Sequence, residues 1–548
     1  MNRSAILATV FSGWLAVGAT AAVAEITHVP TANTKAPGVT QPNVLSPELA
    51  EVVRASGAMR LENPESPVVF YGYNDDRPNF VPLPGGSNVE AHKTEPDKNT
   101  YLVLRNQKGP DPHYDYGTHF VFQGHESGPG NITRINLDAD VAHRVTLMAS
   151  KDVTGKALPA FDGSTWYPWA QRLLFTSENG NAGGVWQATL DFPSQVEDVS
   201  GVFGRGGYEG IQPDSFGNLW IVEDVGGRSG VQNPQARQPN SFVYRLVPYD
   251  KRDLKIGGKL QVLAVKSQAH AGNIVFNSPV ADTDITSQDV NDLHTYGKRF
   301  DTSWITIHDT AVHGSTPFDA NALAKGVGTP FKRPENGVFR PGTSFREFFF
   351  TETADTNALT QVGSAGGGFG GLFKISQHHP ADDRGTLTLF YLGDIDHTSF
   401  DNIAFLTRDH VIAVEDRGDT LHTQHSALDS AWLFNVNLDY SNPANQPIRI
   451  LAQGRDVSAT IDSGLLGSTG FTNDGDNEIT GIHVSDGDPT PGGILGAKNP
   501  RPFDGRWRVF YTQQHGDNNT YEIILNPSVA VPFHDRDRDD HDRDSDDD

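Results

Sequence analysis

RGGYEGIQPDSFGNLWIVEDVGGR, residues 205–228, sets the pattern of the chain. An acid with a glycine behind it, Glu209-Gly210, precedes a turn over 213–218. An apolar run, 219–222, follows and ends on Glu223-Asp224. The layout returns in FDNIAFLTRDHVIAVEDRGD, residues 400–419. There Asp401 leads, Thr407 to His410 make the turn, and 411–414 run into Glu415-Asp416. The leading acid stands 14 residues before the Glu-Asp pair in both copies. A hairpin with carboxylates at its start and end, used more than once, predicts a radial repeat whose acids gather at one mouth. The plainer alternative is a pair of unrelated turns, because Asp and Glu flank strands for their turn preference alone.

Composition agrees with many short strands. Of 548 residues 56 are Gly and 34 Pro, and 36% are hydrophobic. Glycine-rich turns between strands give that profile, and long helices do not. A net charge of -25 argues against nucleic acid as a partner, since phosphates require a Lys/Arg footprint. It suits a protein that collects divalent cations. The chain has no cysteine, which excludes disulfides, thiol nucleophiles and Cys-ligated zinc.

The first residues read as an export signal. Met1-Asn2-Arg3-Ser4 is a short basic start, 5–23 is apolar and small, and Ala22-Val23-Ala24 fits an A-x-A cleavage site. Residues 1–24 are therefore expected to be removed, leaving a periplasmic or extracellular protein. No later run of 18 uncharged apolar residues occurs, so no membrane span is expected. A monomer is expected.

Residues 25–66, rich in Pro, Thr and Asn, read as a strap or linker with a short helical patch over 47–60. From 67 to 530 short β-rich runs alternate with Gly, Pro, Asn and Asp, among them VVFYGY (68–73), RLLFTSEN (172–179), REFFFTET (346–353) and TYEIILN (520–526). The fold class is all-β, one β-propeller domain. Six blades over roughly 500 residues give about 80 per blade, more than the 40–45 of a minimal repeat, and so imply long loop insertions. Residues 280–335 lack a strand pattern, with a short helix starting over 321–325. Residues 454–505 read as a long polar insertion. The tail 531–548 is an Asp-rich disordered segment.

Several carboxylates close strands or hairpins: Glu126 after FVFQGH, Glu178 after RLLFTS, Glu209 and Asp401 at the heads of the matched hairpins, and Glu335 in FKRPE. Hard cations such as Ca²⁺ take six to eight oxygen ligands, and no single loop here supplies them. One carboxylate per blade, converging on an axis, would. The glycine-rich stretch 362–373 lacks the Lys-Ser/Thr of a phosphate loop and leads into a strand, so it reads as a plain loop. Residues 473–478 lack the bidentate acid of a calcium loop and read as a turn.

The order of these segments resembles the PhoX-type alkaline phosphatases, secreted bacterial phosphomonoesterases with a β-propeller and a calcium–iron site. GHE (124–126) is similar to that family's Asn-His-Glu segment. PWAQRLLFTSEN (168–179) resembles its Pro-Trp-Gly-x-Trp-Leu-x-Cys-Glu-Glu-Asn segment, and YEG (208–210) its glutamate blade. FKRPE (331–335) matches Phe-x-Arg-Pro-Glu, Asp401-Asn402 with Glu415-Asp416 its Asp-Asn blade, and ITG (479–481) with TQQHGD (512–517) its ending. The likeness spans about 118–520. It implies metal ligation by Glu126, Glu178, Glu209, Asp224, Glu335, Asp401 and Asp416, a phosphate clamp in Arg333, and a ligand-orienting or leaving-group role for His515. The substrate implied is a small phosphorylated molecule.

Two departures bear on the chemistry. The family's iron-bridging cysteine is absent and Asp162 falls near its place, which favours Ca²⁺ over the Fe³⁺ of the mixed cluster, because a carboxylate is harder than a thiolate. No Lys occurs between Lys156 and Lys251, where a phosphate-contacting lysine is expected. A calcium-dependent lactonase or phosphodiesterase on the same fold, or a non-catalytic calcium-binding propeller, stand as alternatives.

Overall fold

Asp214 shows how the opening stretch folds. Its buried carboxylate accepts from the backbone N–H of Phe216 (2.8 Å) and Asn218 (3.1 Å), from Asn218 Nδ2 (2.9 Å) and from Trp220 Nε1 (3.2 Å). Gly217, at φ +84, supplies the left-handed residue that the turn requires. The turn joins strands Tyr208–Pro213 and Leu219–Glu223. In the second copy Phe400–Phe405 pairs with His410–Glu415, and Thr407 Oγ1 takes the part of Asp214, accepting from the N–H of Asp409 and His410. Asp214→Ala would leave four donors without their acceptor and is expected to cost about 2–3 kcal/mol. A urea midpoint unchanged from that of the wild type would refute this role.

In this computed structural model residues 26–35, 41–79, 90–360, 366–454, 478–515 and 518–529 are described. The expected export signal, the acidic tail, most of the turn at 473–478 and part of the loop 362–373 lie outside them. The chain is all-β with short helices, the longest described being Gly418–His425. Three four-stranded sheets and one of five strands stand as separate blades. A fifth sheet has nine strands. In it one meander, from Tyr208–Pro213 to Gly258–Val265, is hydrogen-bonded to a second, Gly337–Phe339 to Arg384–Leu392, through the long strand Arg299–Asp309. Four separate blades and one fused sheet thus replace the six separate blades expected.

The arrangement is propeller-like. The edge strands Thr100–Val103, Ser164–Tyr167, Tyr208–Pro213, Gly337–Phe339, Phe400–Phe405 and Glu478–Ser485 touch one another in sequence and close a ring. Core side chains fill the spaces between sheets. Trp220, fully buried, packs on Trp304, Phe339 and Phe348 with centroids 4.9–5.1 Å apart and so holds the two meanders of the fused sheet face to face.

Three local expectations are corrected. The patch expected to be helical within 47–60 contains the strand Leu49–Ala55, whose backbone pairs antiparallel with Asn519–Leu525. Leu49–Ala55 therefore completes the last sheet, while the strand before it, Val44–Leu45, pairs with Ile448–Ala452 of the five-stranded one. Residues 280–335 contain, beside the expected helix Ala320–Ala324 capped by Asp319, the strand Arg299–Asp309. Its alternation is obscured by Thr302 and His308 on the buried face and by Ile305 and Ile307 on the other. The supposed insertion 454–505 contains Glu478–Ser485, a wholly buried edge strand whose Gly481 (φ +63) marks a bulge.

Candidate metal centre

The repeated hairpin places its acids by register. Tyr208 pairs with Glu223 and Phe400 with Glu415, and in each copy the ladder then slips before Ile211 and Ile403. The slip carries Glu209-Gly210 and Asp401-Asn402 as bulges at the ring. Glu223 and Glu415 turn into the blade. Glu223 accepts from Phe242 N–H, the Tyr244 hydroxyl and Asn321 Nδ2, while Glu415 holds Arg417 in a fork (2.8 and 3.1 Å) and accepts from Ser430 N–H. The second acid of each pair, Asp224 or Asp416, is half-buried and anchored by its own N–H to Gly207 O or Ser399 O. A threonine of the preceding sheet fixes the backbone of each leading acid: Thr176 donates to Glu209 O and Thr351 to Asp401 O (2.6 Å).

Two groups of carboxylates result. Glu178, Glu209, Asp224 and Glu335 bring oxygens within 4.8 Å of one another, and Asp97, Glu126 and Asp162 form a second such group. All are buried or half-buried. Burial and neighbouring acids push Asp162, Glu178, Glu209 and Glu335 well above the usual carboxylate range, and raise Glu126 to about 8. Asp401 lies outside both groups. Burial, then Asp97, raises it to about 7, and its Oδ2 has no hydrogen-bond partner among the described residues. Asp416 also lies outside them, electrostatically tied to Asp401 and Glu478.

Arg333 sits on the first group with φ +58, a costly backbone for a residue with a side chain. Its Nε and Nη2 fork onto Asp224 (2.9 and 2.6 Å), and Nη2 lies 3.3 Å from Glu335. Its side chain is 27% exposed, so it forms part of the accessible wall. His515 bridges Glu95 (2.5 Å) and Glu478 (3.3 Å). Burial opposes its charge, but those two carboxylates outweigh it and raise its pKa well above 6.5. Both of its ring nitrogens are thus engaged by carboxylates.

The sequence reading missed four residues here: Glu95, Asp97, Lys98 and Glu478. The first three occupy TEPDKNTYLVL, which has no Glu-Asp pair at the end of a matched hairpin, and the fourth opens the unrecognised strand. Lys98 is fully buried. Its Nζ donates to Asn402 Oδ1 (2.5 Å) and Ile482 O (3.1 Å). Burial lowers it to about 8, against the pull of Asp401, Asp97, Glu209 and Asp162.

Beyond the carboxylates, loops of the two fused meanders and of the five-stranded sheet that follows interlock. Asp355 Oδ1 accepts from Arg237 N–H (3.1 Å), Asn233 Nδ2 donates to Thr360 O (2.6 Å), and Ala358 N–H donates to Gln424 Oε1 (2.7 Å). Lys332 anchors this rim from below through Asp355 (3.0 Å).

A ring of β-sheets with an acidic mouth defines a propeller-like protein able to hold metal ions. No family model matches the chain, and no curated protein matches it. Among solved structures, Pseudomonas fluorescens PhoX in complex with vanadate, a transition state analogue, aligns over 92% of this chain and 98% of its own, at 12% identity and a TM-score of 0.52. The fold is thus PhoX-like. Kuenenia stuttgartiensis hydrazine synthase aligns over 82% of this chain and 99% of its own, at 11% identity and a TM-score of 0.32. No helix among the described residues is long and apolar enough to cross a membrane.

Proposed function

We propose that the chain is an exported, metal-dependent phosphatase that hydrolyses phosphate monoesters on a propeller whose fused sheet counts as two blades. The observation that carries this reading is the convergence of Glu178, Glu209, Asp224 and Glu335 beside the partly exposed Arg333. The donors fit a hard cation. They are carboxylate oxygens, with no thiol in the chain, and buried acids so close together require protons or cations between them. Calcium is the ion proposed; Fe³⁺ is disfavoured by the lack of cysteine. Glu178, Glu209, Asp224 and Glu335 would hold one ion and Asp97, Glu126 and Asp162 another. Bound cations supply Lewis acidity toward phosphoryl oxygens.

The chain's own residues do the rest. Asp224 holds the Arg333 guanidinium in one plane, a geometry suited to two-point contact with a phosphate. His515 keeps Glu95 and Glu478 oriented at the wall of the mouth. Burial of Glu209, Glu335, Asp97 and Asp162 limits water around these acids, which strengthens the charge interactions among them.

The test is metal analysis of the purified protein together with p-nitrophenyl phosphate turnover before and after chelation. Bound calcium is expected, with turnover lost on chelation and in Glu335→Ala. Absence of any tightly held ion would overturn the cation-binding reading. Calcium without phosphate release would overturn the phosphatase and favour a lactonase, a phosphodiesterase or a binding propeller.

A further inference from the structure

Arg333 stands in the left-handed region at φ +58, where a residue with a side chain persists only if its surroundings over-determine it. Three hydrogen bonds do so, all with the end of strand Glu347–Glu352 and the two residues after it. Thr353 N–H donates to Arg333 O (2.9 Å) and Ala354 N–H to Lys332 O (3.0 Å). The third runs the other way: Lys332 N–H donates to Glu352 Oε1 (2.6 Å). The first two join backbone to backbone and ask nothing of the side chains. The third depends on which residue stands at 352.

Glu352 is fully buried and belongs to neither carboxylate group. Its other oxygen, Oε2, lies 2.8 Å from His294 Nε2, the two side chains 1% and 2% exposed. His294 Nδ1 faces the carbonyl of Val290 at 2.7 Å, so this nitrogen carries a hydrogen and the ring is held at both edges. His294 ends the helix Gln288–Leu293, which precedes Arg299–Asp309, so Glu352 of the second meander is gripped from outside that meander. The glycine-rich stretch covers the remaining side. Gly367 and Gly370 have φ +70 and +71. A Cβ on Gly367 would meet His294 Nε2 and Cε1 at 2.4 Å, and one on Gly370 would meet Glu352 O at 1.8 Å. These two glycines thus lie flat on the His294–Glu352 pair.

A buried carboxylate is tolerated when its oxygens are engaged. Both of these are, one by the strained corner and one by the histidine. Lys332 is thereby held at its N–H by Glu352 and at its C=O by Ala354, which aims the Arg333 that follows. We propose that Glu352, gripped by His294 beneath the glycine-rich stretch, is the positioning residue of the Arg333 clamp. Asp224 fixes the guanidinium at its tip, and Glu352 fixes the same residue at its root. The inference rests on the proposed role of Arg333 toward phosphate.

The experiment titrates calcium-loaded protein, freed of excess calcium, with inorganic phosphate in a calorimeter. The chains compared are the wild type, Glu352→Met, Glu352→Gln, Arg333→Lys and Glu352→Met/Arg333→Lys. Calcium per chain is read on the same samples. Glu352→Met is expected to weaken phosphate binding about tenfold, the worth of one displaced hydrogen bond to a charged group, with calcium per chain unchanged. Glu352→Gln, which keeps the acceptor, is expected to recover most of the loss. In the Arg333→Lys background Glu352→Met is expected to have no further effect, because the fork it positions is gone. Wild-type affinity in Glu352→Met, no recovery in Glu352→Gln, an equal loss in both backgrounds, or a loss of calcium alongside phosphate each overturns the positioning role. A wild type that binds calcium without phosphate overturns the phosphatase reading, and this inference with it. Phosphate bound by Arg333→Lys as tightly as by the wild type overturns the clamp. If Glu352→Met does not fold, His294→Gln carries the same test, since it leaves Glu352 in place and loosens the grip on Oε2. Failure of both to fold overturns a role specific to Arg333.

Discussion

Lys332→Met is expected to destabilise the protein by about 3–5 kcal/mol, the usual cost of stranding one member of a buried ion pair. Lys332 Nζ lies 3.0 Å from Asp355 Oδ2, with side chains 1% and 0% exposed. Solvent cannot replace the lost partner. Asp355 also accepts from Arg237 N–H and from the Thr360 hydroxyl, so the stranded charge sits where the rim loops meet. Denaturant titration of Lys332→Met, Asp355→Asn and the double variant checks this. The double variant should be far more stable than the sum of the single losses predicts, because it leaves no buried charge. A single variant within about 1 kcal/mol of the wild type, against the magnitude expected for buried pairs, would show the pair to be dispensable.

The second large effect depends on pH. His483 is fully buried and accepts from Tyr101 N–H (3.3 Å), and burial, then the nearby Lys98 charge, holds its pKa down at about 3. Its ordinary value is 6.5, so between these limits the unfolded chain binds a proton that the folded chain refuses. Stability from this group is complete above about pH 6.5 and is lost as pH falls toward 3, by at most about 5 kcal/mol. His483→Gln keeps an acceptor for Tyr101 and cannot titrate. Its unfolding free energy should fall less steeply between pH 7 and pH 4 than that of the wild type. Parallel curves would show that His483 takes up its proton without unfolding.

The hairpins were legible because their chemistry is local. Asp214, Thr407 and the 14-residue spacing lie within one stretch each, and strand pairing then brings Glu209 and Asp401 to the ring. Arg333 and Glu335 stood out through the compact FKRPE segment. The second carboxylate group was half visible: Glu126 and Asp162 close or precede recognisable strands, whereas Asp97 precedes one with no matching pair behind it. Lys98 was illegible for a physical reason. A lysine in a polar stretch ordinarily faces water, and only the tertiary gathering of acids from other sheets makes its burial tolerable. The strand Glu478–Ser485 escaped notice because Thr, Gly and His interrupt its apolar alternation, although every one of its residues is buried. The fusion of two meanders by Arg299–Asp309 is likewise a matter of which edges meet, and periodicity does not record that.

The strand Leu49–Ala55 has one further consequence. Its hydrogen-bonding partner, Asn519–Leu525, is the last strand described, so during synthesis this edge emerges first and waits for nearly the whole chain before it is satisfied. A waiting β-edge is a hazard for association between nascent chains. Its sequence, LAEVVRA, carries Glu51 and Arg54 among the apolar residues, and both gain partners on closure, Glu51 in the Tyr511 hydroxyl and Arg54 in Glu522. The same two charges that pair across the finished sheet are thus of the kind that discourages edge-to-edge association while the strand waits.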